Sequence, residues 1–203
     1  MSLSQKQRNK LKLILVSSLA VFIVTALLAY KHVFFDWEQD LFFLVYQLPD
    51  FLRIPFWIIT QFGSGWLLVI LCVYFLIGSE RLRVLGRRLA INGVITYIII
   101  ELAKNTIGRA RPGLLLITIK QKGIFELHGF GFPSGHTAMA TIISLTIMNY
   151  LPKRWRWLPW LWIPLVGLSR IYLGVHAPLD IIGGFVVALS VFCASRLLQK
   201  DSK

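Results

Sequence analysis

The sequence predicts an all-α integral membrane protein, a single domain folded as a six-transmembrane-helix bundle with both termini in the cytoplasm. Three observations lead there. Hydrophobic residues fill 56% of the 203 positions and charged residues only 15%, where soluble chains carry about 25% charged. The apolar residues are blocked into runs long enough to cross a bilayer. The basic residues behind the net charge of +13 stand mostly at the ends of those runs, which is membrane topology and not a nucleic-acid surface.

The first span covers residues 11–30, behind Lys6, Arg8, Lys10 and Lys12. It is long enough to cross, and Tyr30-Lys31-His32 is no small-residue cleavage site, so it is expected to stay as a helix. Residues 31–50 hold four carboxylates, Asp36, Glu38, Asp40 and Asp50, around the patch LFFLVYQL. That patch is too short to cross and suits an interfacial segment. The second span, residues 54–77, is interrupted by Gln61-Phe62-Gly63-Ser64-Gly65; a kink and a break both fit. The third, residues 87–107, has Arg88 at one end and Glu101 and Lys104 at the other. The fourth covers 135–151, the fifth 157–172 and the sixth 178–198, with Pro159 and Pro164 predicting a bent fifth helix. Cys72 and Cys193 lie inside apolar runs and read as packing residues, with neither a disulfide nor a metal spacing to suggest otherwise.

When the spans alternate, one side of the membrane receives 14 basic residues and the other 8. The richer side collects the N-terminus, the 81–88 and 153–156 clusters, and Arg196, Lys200 and Lys203. The positive-inside rule makes that side cytoplasmic. Trp155, Trp157, Trp160 and Trp162 crowd the same edge, as an aromatic belt does.

Three polar clusters then fall together on the outer side. The first runs from Lys104 to Arg111 and Pro112, the second is Pro133-Ser134-Gly135-His136, and the third is SRIYLGVHAPLD at 169–180. Ionisable groups beside hydrocarbon are expensive, which makes each a functional hypothesis. Lys104, Arg111 and Arg170 are three cations around one possible site, suited to phosphate oxygens. Taken singly, each also reads as a side chain snorkelling from a helix end, and for Arg109, Lys120 and Lys122 that bland reading is the expectation. Ser134 is placed to cap the fourth helix, leaving the Gly135 and His136 amides free at an anion-binding helix start. Its bland reading is a plain capping serine. Pro178 suits a first helical turn, which sets Asp180 in that turn with His176 just before it. A carboxylate there can fix one imidazole tautomer and leave the other nitrogen as a nucleophile, or it can merely favour the helix dipole. Two histidines and an aspartate could hold zinc, but three cations beside them repel a divalent ion. No metal and no cofactor are expected. Glu101 precedes Lys104 by three residues and is expected to pair with it.

These residues, in this order, resemble the signature of the type-2 phosphatidic acid phosphatase superfamily. The pattern K-x6-R-P, then P-S-G-H, then S-R-x5-H-x3-D is filled at every position, covering about a seventh of the chain. The resemblance implies a two-step, metal-independent reaction. His176 would attack phosphorus to form a phosphohistidine, with Asp180 orienting the ring. His136 would protonate the leaving oxygen and later activate water. Lys104, Arg111 and Arg170 would hold the phosphate oxygens, with Ser134 and the Gly135 amide adding hydrogen bonds. With short loops and no soluble domain, the chain looks like the small bacterial members, whose usual substrates are phosphatidylglycerophosphate, phosphatidate and undecaprenyl diphosphate. The expectation is an enzyme of a bacterial cell membrane, its site extracytoplasmic. It would hydrolyse phosphatidylglycerophosphate to phosphatidylglycerol and act also on undecaprenyl diphosphate and phosphatidate. Three alternatives stay open: an enzyme chiefly for undecaprenyl diphosphate, a glucose-6-phosphatase-like enzyme acting on a soluble sugar phosphate, and a catalytically inactive transporter or structural protein. The partners expected are the lipid phosphate and the bilayer, without nucleic acid; oligomeric state carries no sequence signal.

Overall fold

The computed structural model describes residues 3–30, 34–115, 119–123 and 129–199. Lys31, Lys200 and Lys203 of the topology count lie outside them. Among the described residues there is no strand. Helix α1 (Gln5–Tyr30) is followed by α2 (Asp36–Tyr46), α3 (Arg53–Gln61), α4 (Gly65–Leu76), α5 (Glu80–Ile107) and the single turn α6 (Pro112–Leu115). Then come α7 (Gly135–Ile147), α8 (Leu158–Tyr172) and α9 (Pro178–Leu198).

The interruption at 61–65 is a break. Ser64 caps α4 by accepting the Leu67 N–H at 3.3 Å, so the chain leaves one helix and starts another. Gly63 sits where an added Cβ would lie 2.6 Å from the His136 carbonyl and 2.7 Å from Val166 Cγ1. The break therefore lies close against α7 and α8. Helix α5 ends at Gly108, whose φ of 67° is left-handed and whose N–H donates to the Lys104 carbonyl, a glycine C-cap. Pro159 lies in the first turn of α8, where a missing N–H costs little, and Pro164 lies inside it.

Helix α7 is the centre of the bundle: residues 137–146 are all buried, against α5, α8 and α9. Ile100 of α5, Ala138 and Ile142 of α7, and Ala188 of α9 share one apolar cluster. Lipid tails are as apolar as leucine, so close backbone approach matters more than apolarity in joining such helices. Gly184 of α9 provides it, because a Cβ there would meet the Ser134 carbonyl at 2.3 Å. Helix α1 lies along α9, joined by a buried Ser18–Ser190 hydroxyl contact of 2.7 Å. At one end of the bundle Arg8 reaches the Leu197 carbonyl (3.5 Å) and Arg81 lies over the Tyr150 ring (5.7 Å). Basic residues from α1, α5 and α9 thus share an end.

Helices α1 and α9 are each long and apolar enough to cross a membrane, and α2 with residues 50–61 forms a pair bent by 84° that could make a third crossing. Helix α5 has 28 residues but is charged toward both ends. Helices α7 and α8, with 13 and 15 residues, are about 20–22 Å long against the ~30 Å of a hydrocarbon core. Short 3-10 turns at Met148–Tyr150 and Lys153–Trp155 connect them. An interfacial reading of residues 31–50 misses the inward face of α2. That helix packs on α8 and α9, with Glu38 and Phe42 wholly buried.

Candidate active site

Four helix ends converge opposite the basic end: the C-termini of α5 and α8 and the N-termini of α7 and α9. Lys104 is in the last turn of α5 and Arg170 in the last turn of α8. Ser134 caps α7, accepting from the Thr137 hydroxyl at 3.1 Å and from its N–H at 3.4 Å. This leaves the first amides of α7, including those of Gly135 and His136, without intrahelical acceptors. A Cβ on Gly135 would lie 3.9 Å from Lys104 Nζ, so the ammonium stands over that helix start. Ser134 also donates its N–H to the Asp180 carbonyl at 2.8 Å, tying the starts of α7 and α9 together.

The connection from α8 to α9 sets the histidine. Gly174 takes a φ of 71°, a turn for which glycine is the default residue, and the Val175 N–H returns to the Arg170 carbonyl at 3.2 Å. Asp180 Oδ2 then accepts the Ala177 N–H at 2.9 Å and stands 3.2 Å from His176 Nδ1. Arg111 donates to the Val175 carbonyl at 2.8 Å and lies 3.3 Å from His176 Nε2. With the carboxylate at Nδ1, the ring proton belongs there and the Nε2 lone pair faces Arg111. Burial, then the charges of Arg111, Arg170 and Lys104, hold the His176 pKa well below the usual histidine value. A neutral imidazole is the form that can attack.

All eight residues singled out from the sequence are brought together: Lys104, Arg111, Ser134, Gly135, His136, Arg170, His176 and Asp180. His136 lies within electrostatic reach of Arg170, His176, Lys104 and Arg111. Arg170 Nη1 donates to Thr60 of α3 at 2.9 Å. The Nε–H groups of Arg111 and Arg170 are buried with no hydrogen-bond partner among the described residues, and such donors are costly unless an acceptor arrives. Lys104 is paired with Glu101 at 2.7 Å, as its spacing predicted. A cavity of about 830 Å³ is lined by His136 and Arg170 together with Leu68, Met139, Trp66 and Tyr97, and Trp66 and Tyr97 are largely exposed. Among the described residues no three His, Cys, Asp or Glu side chains converge as a metal site. Asp180 is already engaged, by His176 on one oxygen and Arg109 on the other.

The snorkelling assignment for Arg109 is overturned. The side chain is 0% exposed and donates from Nη1 to Asp180 Oδ1 and to Glu38 Oε1, each at 3.0 Å. Its other terminal nitrogen, Nη2, meets Glu38 Oε2. A charge can snorkel only where water is within reach, and the turn after Gly108 aims this one inward. Lys122 does not reach solvent freely either. Its ammonium bonds the Tyr46 carbonyl (2.8 Å) and Asp50 (3.2 Å) between the Tyr46 and Tyr172 rings, which is a structural tie. Lys120 is exposed. Glu38 escaped the sequence reading, although its spacing to Phe42 marks one face of a helix and a carboxylate in so apolar a chain is itself a signal.

A family model described as the PAP2 superfamily matches residues 85–203. The chain is 28% identical over 137 residues to the undecaprenyl-diphosphatase of Sulfolobus acidocaldarius, covering 64% of this chain and 62% of that protein. It is 37% identical over 73 residues to phosphatidylglycerophosphatase B of Bacillus subtilis, covering 31% of this chain and 36% of that protein. These matches span less than two thirds of either relative's length. The fold is similar to that of a solved transmembrane PAP2-type phosphatidylglycerolphosphate phosphatase from Bacillus subtilis. There the TM-score is 0.67 at 22% identity, covering 88% of this chain and 93% of the other. With the signature residues gathered at one site and the family model matching more than half of its length, the chain belongs to the PAP2 superfamily.

Proposed function

We propose that this protein is a membrane lipid phosphate phosphatase that hydrolyses phosphatidylglycerophosphate to phosphatidylglycerol, with overlapping activity on undecaprenyl diphosphate and phosphatidate. The observation that carries the reading is His176, its Nδ1 on Asp180 and its Nε2 3.3 Å from Arg111, within the charge of Arg170 and Lys104 and beside His136 and Arg170, which line a largely apolar cavity. The His176 Nε2 lone pair attacks phosphorus and forms an N–P bond. The P–O ester bond breaks, and the departing oxygen takes a proton from His136. In the second step His136 takes a proton from water, the oxygen of that water bonds to phosphorus, and the N–P bond breaks to release phosphate. Asp180 stays ionised and stabilises the cationic ring without accepting its proton, as a buried aspartate does beside other catalytic histidines. Arg111, Arg170 and Lys104, with Ser134 and the Gly135 amide, hold the equatorial oxygens, where phosphoryl transfer most needs stabilisation. No metal or cofactor enters these steps.

In this reading the chain crosses a bacterial plasma membrane six times with cytoplasmic termini, and the site lies on the extracytoplasmic face. The separation of the site from the basic end of the bundle supports this orientation. The cavity walls formed by Trp66, Val69, Val94 and Tyr97 are apolar and reach the protein surface, as a lipid tail requires. A second reading, a preference for undecaprenyl diphosphate, is favoured by the longer match to undecaprenyl-diphosphatase. The deciding experiment compares kcat/KM of the purified protein on phosphatidylglycerophosphate, phosphatidate and undecaprenyl diphosphate in one detergent. The highest value on the first supports the proposal, the highest on the last supports the second reading, and no phosphate release from any of them overturns both.

A further inference from the structure

Glu38 lies in α2, outside the three signature stretches and outside the residues matched by the family model, yet it is 0% exposed. Its carboxylate spans both terminal nitrogens of Arg109, and Oε1 also accepts the Leu179 N–H at 2.9 Å. That amide is in the first turn of α9, one residue before Asp180. Arg109 in turn holds Asp180 Oδ1 at 3.0 Å, while Oδ2 serves Ala177 and His176. The result is an unbroken buried chain, Glu38–Arg109–Asp180–His176, reaching from α2 to the nucleophile.

Stability alone gives little reason for such a set. Buried ion networks often gain nothing over apolar side chains of similar volume. Charge gives a better one. Two carboxylates and one guanidinium leave the set with one excess negative charge. A phosphorylated His176 that keeps its Nδ1 proton has a cationic ring, which cancels that excess. The network is thus neutral once the ring is phosphorylated. Removing the charge of Glu38 would leave Asp180 fully neutralised by Arg109 before the ring becomes cationic.

We infer that Glu38 and Arg109 are positioning residues for phosphoryl transfer: Arg109, clamped by Glu38, fixes Asp180 on His176 Nδ1, and Glu38 supplies the charge that the phosphorylated ring balances. This rests on the phosphohistidine reading. Both residues act on the reaction through Asp180 and His176, so the effect falls on the chemical step.

The test uses the full-length protein in detergent micelles with radiolabelled phosphatidate. Acid-labile phosphoenzyme is trapped by rapid quench, and kcat and KM are measured alongside. Glu38→Gln preserves shape and removes the charge. It is expected to slow phosphoenzyme formation about 10- to 100-fold, the range that follows from weakening one charge-assisted hydrogen bond, with KM nearly unchanged. The double variant Glu38→Leu/Arg109→Met, which removes the pair together, takes its place if Glu38→Gln fails to fold, and is expected to lose at least as much. A folded variant of either kind that forms phosphoenzyme within twofold of the wild-type rate overturns the inference. So does a loss confined to KM. A wild-type protein without acid-labile phosphoenzyme, or a His176→Ala protein that still forms it, instead overturns the phosphohistidine reading beneath it.

Discussion

Replacing Gly131 by alanine tests how tightly Asp180 must be held. A Cβ on Gly131 would lie 2.9 Å from Asp180 Oδ2, where 3.4 Å is the lower edge of ordinary contact. Either the carboxylate or the Gly131 segment must move by about 0.5 Å. The segment resists, because the Gly131 N–H donates to the Arg109 carbonyl at 2.7 Å. The carboxylate is bound by Ala177 and Arg109 at 2.9 and 3.0 Å, so its longest contact, 3.2 Å to His176 Nδ1, yields first. Lengthening it by about 0.5 Å takes it beyond hydrogen-bonding distance. Losing a hydrogen bond to a charged group costs about 1.5–3 kcal/mol, or about 10- to 150-fold in kcat if the bond acts in the transition state. The assay is phosphate release from lipid phosphate in micelles, with thermal unfolding to confirm that the variant is folded. Gly113→Ala serves as the matched control, since its Cβ would meet the Ile119 carbonyl at an ordinary 3.4 Å. A folded Gly131→Ala protein with kcat within twofold of wild type would refute the argument that Asp180 orients the nucleophile.

Three further outcomes are expected. His176→Ala abolishes the phosphoenzyme, whereas His136→Ala slows turnover severely; an undiminished phosphoenzyme in His176→Ala means the nucleophile is another group. A chelator leaves activity intact and vanadate inhibits, the oxyanion imitating five-coordinate phosphorus; loss of activity in chelator that zinc or magnesium restores contradicts the proposed steps. The third concerns stability and pH. Burial keeps His176 neutral in the folded protein at pH values where an unfolded chain protonates it. The unfolded state then binds the extra proton, so stability falls as pH drops through the ordinary histidine value, by at most about 1.4 kcal/mol per pH unit for this one group. The melting temperature should fall less steeply below pH 6.5 in His176→Asn than in wild type, and parallel slopes would remove His176 as the cause.

The sequence by itself determined the helical membrane class and singled out eight candidate residues that the fold brings together. Those residues sit in three short stretches, and each stretch carries its own local instruction: a capping serine, a proline in a first turn, cations at helix ends. Polar groups are also costly near hydrocarbon, so they stand out in an apolar chain. Only the tertiary structure decided what was not local. The glycines at 61–65 allow a kink or a break equally, and the approach of α7 and α8 to Gly63 accompanies a break. Arg109 reads as a snorkelling cation because nothing near it in sequence opposes its charge. Its partner is Glu38, 71 residues away on a helix whose inward face only packing reveals. Electrostatic pairing depends on distance in space and not along the chain, and for that reason the link from Asp180 through Arg109 to Glu38 could be found only in the folded protein.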